Sequence, residues 1–264
     1  MSTWGRWITR RGVLVSAVTM LALSSCVCVR PLQPIIVDPV QLAEWYGQPR
    51  AVAATLLVKT TDSTGDSTQV TVYVWRAADG RTRLLMTKVD VDVLAVLIQP
   101  DGSFVAFAPR SNFRTAGDLS DPQLPNGFTD LRLLLNEICD GPLPPGLTIG
   151  DHANVLTGPV SGGLTATVTV SPTTDEIVEK VLHDRSGGLV YLLRYSATKD
   201  FDAIHRATKV DTIVGTGTAQ TYSLTAYVRR YEVLGDISAE RMRFTIPDAA
   251  KVVLPAEFLE HVEQ

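Results

Sequence analysis

Apolar and polar residues alternate with a period of two over much of this chain, and this alternation is the feature that most constrains its fold. The clearest run sets valines against polar or aromatic neighbours: Val70, Val72 and Val74 alternate with Thr71, Tyr73 and Trp75. The same period recurs at 89–93, where Asp90 and Asp92 separate three valines, and at 164–170. Successive side chains of a strand point to opposite faces of a sheet, so each run predicts a half-buried strand.

Other segments have the composition of strands and are separated by short turn-like sequences. The further predicted strands are Ala51–Lys59, Arg81–Lys88, Ser103–Pro109, Gly188–Ala197, Ala207–Val214, Thr218–Val233 and Arg241–Ile246. Asp-Gly pairs at 79–80 and 101–102 are typical of tight turns between such strands. Because few long helices separate the strands, the pattern predicts antiparallel hairpins and not parallel strands joined by helices.

Helical periodicity is clear in one place, in the middle of the chain. An apolar stripe with spacings of three and four is formed by Phe128, Leu131, Leu134, Leu135 and Ile138. Shorter helices are predicted at Gln41–Tyr46 and Pro255–Val262. Glu176–His183 fits either a helix or a strand, and its β-branched residues favour the hairpin interpretation.

Several strands are apolar on both faces, which is the main clue to function. Tyr73 and Trp75 oppose the valines of their strand, and Leu189, Tyr191 and Leu193 oppose Val190 and Leu192. A sheet that needs cover on both faces, with few helices to supply it, either closes on itself or lines a cavity. The predicted lining of an apolar ligand cavity is Val72, Val74, Val91, Val93, Leu131, Leu135, Tyr191 and Leu193.

The N-terminal segment has the pattern of an export signal. Arg6, Arg10 and Arg11 precede the uncharged stretch from Val13 to Val29. Leu23-Ser24-Ser25-Cys26 resembles the bacterial lipobox, in which the signal is cut before the cysteine and that cysteine receives the lipid. The resemblance implies lipid attachment, palmitate included, at Cys26. Alternatives are an uncleaved anchor, because a spanning helix needs about 17–25 residues, and ordinary signal cleavage. The Arg10-Arg11 pair leaves Sec and twin-arginine export both open.

Two further cysteines follow the lipid-attachment residue. Cys28 and Cys139 could pair in an extracytoplasmic compartment, which would hold the domain near the lipid surface. The alternative is that Cys139 is a buried free thiol that packs as a small hydrophobe. The sequence leaves both states of Cys139 open.

Charge and motifs exclude several functions. The chain has 24 basic and 28 acidic residues, and three arginines lie within 1–25, so the remainder has a net charge of −7. An acidic domain with no clustered basic face is not expected to bind nucleic acid. No nucleophile is spaced beside a base, and His152, His183, His205 and His261 lack a metal-ligand spacing. We therefore expect a protein that is not an enzyme and has no metal or cofactor.

Local sequences resemble the LolA/LolB-like group, the periplasmic carriers and outer-membrane receptors of lipoproteins. The resemblance rests on Gly80–Leu84, on Ile98–Pro109 with its Asp-Gly turn, and on Arg243–Pro247 with its Phe-x-x-Pro, and it spans Gln41 to Val253. It implies a mainly β (α+β) fold in which a curved antiparallel sheet forms an incomplete β-barrel covered by one or two helices. Mycobacterial lipid-carrying lipoproteins have a related curved sheet and are the alternative group.

These observations predict three regions and two alternative functions. The regions are a lipoprotein signal peptide (1–25), a lipid anchor with a proline-rich stalk (26–40) and a single β-rich domain (41–264). The resemblance implies a membrane-anchored envelope lipoprotein, on the periplasmic face with the outer membrane favoured, that binds acyl chains of lipoproteins or lipids as a carrier, acceptor or chaperone. The alternative is an interaction lipoprotein with a filled core that docks an envelope protein.

Overall fold

One sheet contains every strand that the structure describes. The structure is a computed structural model, and it describes residues 38–47, 49–121, 123–144, 146–150, 152–160, 163–202, 204–217 and 219–262. The predicted signal peptide, Cys26 and Cys28 lie outside these residues.

The first half of the sheet is a meander of six strands that follows a short helix. Asp38 caps helix α1 (Pro39–Trp45) by accepting a hydrogen bond from the Val40 amide at 2.9 Å, and Pro39 occupies the first turn. This helix begins two residues before the predicted start because proline is favoured at that position. The strands that follow are β1 (Ala51–Asp62), β2 (Ser67–Arg76), β3 (Thr82–Lys88), β4 (Val91–Ile98), β5 (Ser103–Ala108) and β6 (Phe113–Asp118).

A helical segment separates this meander from a second one. Helix α2 (Asn126–Leu135) continues directly into a π-helical turn, Asn136–Asp140, and we call the two together the covering segment. The second meander consists of β7 (Thr148–Ile149), β8 (Val155–Val160), β9 (Leu164–Val170), β10 (Ile177–His183), β11 (Leu189–Phe201), β12 (Ile204–Gly217) and β13 (Ala219–Leu234). The chain ends with β14 (Lys251–Val252) and helix α3 (Pro255–Val262).

The two meanders join through β1 and β13. Their register runs from Ala51 opposite Leu234 to Asp62 opposite Tyr222. Across the sheet the order is β14-β6-β5-β4-β3-β2-β1-β13-β12-β11-β10-β9-β8-β7. Neighbouring strands are antiparallel except β14 and β6, which are parallel. The end strands do not pair with each other, so the curved sheet stays open, and the predicted incomplete barrel is confirmed.

The predicted strand at 89–93 is correct for residues 91–93, which begin β4, and wrong for Val89 and Asp90. Val89 and Asp90 form the tight turn between β3 and β4, and both have positive φ, 51° and 59°. Two consecutive residues of positive φ are typical of the two-residue hairpin turn whose twist matches that of the strands. The alternation of valine and aspartate therefore crosses a turn, and Val89 is 90% exposed.

This turn leads to a stability prediction. A β-branched residue is poorly suited to positive φ, and the left-handed conformation costs about 1–2 kcal/mol per residue. We expect Val89→Asn combined with Asp90→Gly to raise the free energy of unfolding by about 1–2 kcal/mol, because Asn-Gly is favoured in such turns. Urea unfolding of the full chain measures this change. An unchanged or lower urea midpoint would contradict the turn assignment.

The predicted strand at Arg241–Ile246 is also wrong, because residues 236–250 have no regular structure. The chain leaves β13 in the middle of the sheet and reaches β14 at its end, so this connection must pass over six strands. A segment that crosses a sheet face has no neighbouring edge with which to pair. Ile237 and Met242 bury against Ala51, Ala53 and Ala77 in a small cluster of their own.

The other predicted elements agree with the structure, with some omissions. Residues 177–183 form β10, so the hairpin interpretation of that segment is confirmed, and α3 spans the predicted residues. The sequence analysis missed β6, β7, β8 and β14. The two edge strands, β7 and β14, have two residues each, and their neighbours β8 and β6 have few buried side chains.

The main core lies on one face of the sheet, in two clusters that both contact the covering segment. The first cluster joins β1–β5 to the apolar stripe of the covering segment and to Phe258 of α3. The second cluster joins β8–β12 to Leu42 of α1 and to Tyr46, the residue that follows this helix. We call this the inner face of the sheet. None of the helices in the described part of the chain is long and apolar enough to cross a membrane.

Candidate functional site

The covering segment lies over the inner face where the cavity was predicted. Its stripe of Phe128, Leu131, Leu134, Leu135 and Ile138 is buried, each side chain being at most 8% exposed. Of the predicted cavity lining, Val72, Val74, Val93, Leu131 and Leu135 belong to the first core cluster, and Tyr191 and Leu193 belong to the second. The structure thus places seven predicted residues on the inner face or on the segment above it.

Val91 is the exception among the predicted lining residues. It is 44% exposed, next to the Val89–Asp90 turn, and belongs to neither core cluster. The expected alternation fails here because of the turn at 89–90 and a bulge that places Val93 between two paired positions. Val91 therefore does not line the inner face.

The space under the covering segment is nearly filled. Two adjacent crevices lie between this segment and β11–β13, and each has a volume of about 10 Å³. Such a volume holds about one water molecule, whereas pockets for drug-sized ligands have about 300–1,000 Å³. Glu137, Ile138 and Val210 line both crevices, so the covering segment itself occupies the predicted cavity in this conformation.

A buried polar network holds the π turn against the sheet. Lys180 of β10 forms an ion pair with Glu137 Oε1 and also donates to the Pro142 carbonyl at 3.2 Å. The Tyr195 hydroxyl donates to Glu137 Oε2 at 2.7 Å. Both charged side chains are about 95% buried. The Glu137 carboxylate is thus compensated on both oxygens, as a buried charge requires.

Two more contacts attach the C-terminal end of the covering segment. Tyr231 of β13 donates to the Ile138 carbonyl at 3.0 Å, and Arg76 of β2 forms an ion pair with Asp140. A π-helical turn is uncommon and occurs frequently at functional sites. These contacts fix the turn to strands of both meanders.

Asp130 is a second, half-buried acid on the covering segment, and it faces the second crevice. The Tyr222 hydroxyl donates to its Oδ2, and the Tyr191 hydroxyl also interacts with the carboxyl group. Oδ1 is buried without a hydrogen-bond partner among the described residues. Burial raises the pKa of Asp130 to about 7, with the Tyr191 hydrogen bond opposing the shift.

This shifted pKa predicts a pH dependence of stability. Folding raises the pKa of Asp130 from 3.8 to about 7. As the pH rises, the unfolded chain therefore loses this proton at a lower pH than the folded chain does. Its contribution to the free energy of unfolding therefore falls as pH rises from about 4 to 7, by about 4 kcal/mol at one unit per 1.36 kcal/mol. We expect Asp130→Asn to remove this dependence and to be more stable than the parent above pH 7.

Urea unfolding at several pH values measures the difference between parent and variant. Asp92→Asn, which changes an exposed carboxylate, is the matched control and is expected to leave the difference near zero at every pH. Parallel pH profiles for the parent and Asp130→Asn would contradict the assignment.

Cys139 is a buried thiol at the end of the covering segment. It is 2% exposed, and burial raises its pKa to about 12, so it is protonated at neutral pH. It forms no disulfide with a described residue. Cys28 lies outside the described residues, so pairing of Cys28 with Cys139 stays a prediction.

The sequence analysis missed the polar residues of this site, although two patterns indicate them. Asp130 and Glu137 are seven residues apart, which places them on one helical face beside the apolar stripe. Lys180 lies two residues before Leu182, which is buried on the inner face. A charged residue in phase with a buried apolar position is the signal for a buried polar network.

A separate groove of about 320 Å³ lies on the opposite face of the sheet. It is lined by Tyr73, Trp75, Leu85, Thr87, Asp90 and Asp92. The rings of Tyr73 and Trp75 are stacked with centroids 5.9 Å apart, and the Arg83 guanidinium lies 5.1 Å from the Trp75 ring. We call this the outer groove. The two aspartates are exposed and show no catalytic arrangement with each other.

No group of three or more His, Cys, Asp and Glu side chains in the described ranges is placed to hold a metal ion. The site is instead an apolar, helix-covered sheet face with buried charges along one side of the helix. Such a site can exclude water and accommodate an apolar group if the helix moves, but it offers no nucleophile next to a base.

Solved structures share this architecture at low sequence identity. A LolA superfamily protein from Nitrosomonas europaea is 12% identical with a TM-score of 0.53, over 78% of this chain and 95% of that one. A DUF1329 family protein from Desulfovibrio piger is 13% identical with a TM-score of 0.53, over 77% and 93%. A domain assigned to an outer membrane lipoprotein-sorting protein from Vibrio parahaemolyticus is 12% identical with a TM-score of 0.51, over 73% and 89%.

No protein-family model matches the sequence, and no curated protein matches it. The likeness to solved structures confirms the predicted resemblance at the level of fold. The described domain has a LolA-like fold, and this likeness by itself carries nothing about its ligand.

Proposed function

We propose that this chain, whose domain has the LolA-like fold, is a membrane-anchored envelope lipoprotein that binds acyl chains of lipoproteins or lipids beneath its covering segment. One observation carries the proposal: an apolar face of the curved sheet is covered by a helical segment that is attached to the strands by a few polar contacts. The predicted lining residues Val72, Val74, Leu131 and Leu135 form one buried apolar cluster there. Binding would require the covering segment to move, because the crevices beside it are too small for a chain.

The apolar burial in the two states is comparable, which favours such an exchange. Five large apolar side chains of the covering segment each contribute about 1.5–3 kcal/mol by burial. One palmitoyl chain buries about fourteen methylenes at about 0.8 kcal/mol each, or on the order of 10 kcal/mol. The burial of one acyl chain therefore offsets the lost burial of these five side chains, and the contacts of Glu137 and Asp140 with the sheet would have to be replaced in addition.

Lipid extraction tests this function. The full chain is purified from a cell envelope in a non-ionic detergent, extracted with organic solvent and compared by mass spectrometry with an extract of the detergent alone. We expect acylated molecules at a stoichiometric amount in the protein extract, or native mass spectra in which added palmitate is retained. A protein free of lipid that also takes up no palmitate would sink the proposal.

Anchoring through Cys26 is part of the same proposal and has its own test. In cells fed an alkyne analogue of palmitate, we expect the parent chain to be labelled and Cys26→Ser to lose the label and accumulate with its signal uncut. Cys28→Ser is the matched control and is expected to keep the label. Equal labelling of the parent and Cys26→Ser would exclude lipid attachment at this residue. Fractionation of the envelope would show whether the anchored protein is in the outer membrane, which we favour, or in the inner membrane.

The second candidate function is docking of an envelope protein by a domain whose core is filled. The small volume of the crevices favours it, and the outer groove with its stacked aromatic rings is the surface it would use. Crosslinking in cells distinguishes the two functions. One stoichiometric protein partner that is lost on Tyr73→Ala, together with no bound lipid, would support docking over lipid binding.

A further inference from the structure

Arg206 is a buried cation on the inner face of β12. Its side chain is in phase with the buried residues Val210 and Val214, and the residue is 3% exposed. The guanidinium donates to the His205 and Gly47 carbonyls, each at 2.8 Å. Its Nε–H is buried and has no acceptor among the described residues. An arginine stays charged at physiological pH, so this side chain places a positive charge inside the domain.

The acidic side chains of the neighbouring π turn are paired with other residues. Glu137, which lines the same crevice, is paired with Lys180 and Tyr195, and Asp140 is paired with Arg76. Arg206 itself forms no ion pair with a described carboxylate. A buried charge is normally paired, and the described side chains supply no carboxylate that pairs with this one.

The tyrosine and cysteine side chains around Arg206 are neutral at pH 7. Burial raises the pKa of Tyr46, Tyr231 and Cys139, the last to about 12. The Tyr231 ring lies over the guanidinium, with its centroid 5.9 Å from Arg206 Cζ. Neither this ring, nor the hydroxyls, nor the thiol carries a negative charge that would pair with Arg206. The inner face therefore favours an anion at this point.

The surroundings of the guanidinium continue into an apolar wall. Val210 and Val228 line the first crevice beside Arg206, and Leu193, Leu224 and Ala226 line the adjoining second crevice. A cation at one end of an apolar path matches a molecule with an anionic head and a hydrocarbon tail. The covering segment lies along this path.

Gly141 explains how the site is closed and how it would open. It ends the π turn with φ +85°, and a Cβ placed there would meet Arg206 Cζ and Nη2 at 3.1 Å. The backbone at the end of the covering segment therefore lies directly against the guanidinium. Outward movement of this segment would uncover Arg206 and the apolar path together.

We propose that Arg206 is the head-group subsite for an anionic amphiphile, an acyl or alkyl chain that ends in a carboxylate or a phosphate. The inference rests on the proposed lipid-binding function and narrows it to a ligand class. The planar guanidinium binds carboxylate and phosphate groups through charge-assisted hydrogen bonds. A lipid with a neutral head group would leave this donor without a charged partner. We therefore expect anionic lipids to bind more tightly than neutral ones.

Native mass spectrometry of the full chain, released from a non-ionic detergent, tests the subsite with three probes of equal chain length. The probes are palmitate, hexadecyl phosphate and the neutral methyl palmitate. We expect at least one anionic probe to occupy the parent protein at about tenfold lower concentration than methyl palmitate, as expected for a charge-assisted contact. The stronger of the two anionic probes identifies a carboxylate or a phosphate head group.

Variants of the same residue complete the test. Arg206→Met is expected to lose the preference for the anionic probe while methyl palmitate binding is unchanged, and Arg206→Lys is expected to retain part of the preference. If Arg206→Met does not fold, comparing the probes on the parent protein and on Arg206→Lys still tests whether Arg206 carries the preference for the anionic probe.

Three results have distinct meanings. Equal binding of the charged and neutral probes by the parent overturns the subsite but supports acyl-chain binding. An anionic preference that survives Arg206→Met overturns the role of this residue. Binding of none of the probes overturns both the subsite and the proposed function.

Discussion

Replacing Lys180 with methionine is expected to lower the free energy of unfolding by about 3–5 kcal/mol at pH 7. Lys180 is the charged partner of Glu137, and both side chains are about 95% buried. Methionine preserves the apolar stem of lysine but leaves the Glu137 carboxylate buried with only the Tyr195 hydroxyl. A buried charge whose partner is removed is strongly destabilising, whereas the net value of the intact pair is small.

The double variant Lys180→Met/Glu137→Gln separates these contributions. It removes both charges and keeps an oxygen to accept from Tyr195, so we expect it to recover most of the lost stability. Arg194→Met is the matched surface control because it breaks the exposed pair with Glu179, whose side chains are 62% and 34% exposed. Its expected cost is below about 1 kcal/mol. Similar urea midpoints for Lys180→Met and Arg194→Met would show that the Glu137–Lys180 pair is not buried as described.

Truncating Leu135 is expected to change stability and ligand affinity in opposite directions. Leu135→Ala removes a side chain that is 7% exposed from the apolar face of the covering segment. Large-to-small substitutions of buried leucine cost about 2–5 kcal/mol. Because the segment must leave the sheet for a chain to bind, weaker packing also lowers the cost of binding. We therefore expect palmitate to bind several-fold more tightly to Leu135→Ala.

The matched control is Leu156→Ala, which makes the same chemical change in β8. Leu156 is 1% exposed, belongs to the second core cluster and lines neither crevice. Its expected loss of stability is similar, and its expected palmitate affinity is that of the parent. Urea unfolding and native mass spectrometry measure the two quantities. Equal palmitate affinities for the two variants would contradict displacement of the covering segment.

The sheet and its cover could be predicted from sequence because their signals are local. The period of two at Val70–Trp75 and at Leu164–Val170 marks β2 and β9, and the stripe from Phe128 to Ile138 marks the covering segment. The errors fall where tertiary topology overrides the local pattern. Val89–Asp90 alternates like a strand but is a turn, and Arg241–Ile246 alternates but crosses over the sheet with no edge to pair with.

The state of the cavity could not be predicted in the same way. An apolar inner face is compatible with a void or with a segment that fills it, and the choice depends on long-range contacts. Glu137 meets Lys180 across 43 residues and Tyr195 across 58, and Asp130 meets Tyr222 across 92. No local pattern encodes these pairings. The sequence predicts the lining of the site, whereas the contacts that close it emerge only in the fold.

Hydrogen exchange of the full chain during palmitate titration tests most directly whether acyl chains bind beneath the covering segment. Ligand binding usually protects amides, but displacement of Phe128–Asp140 should expose those of the π turn. We predict faster exchange in this segment on addition of palmitate, with unchanged or slower exchange in β1 and β2 beneath it. Bound palmitate with unchanged exchange in Phe128–Asp140, or protection confined to the outer groove around Tyr73, would contradict the account.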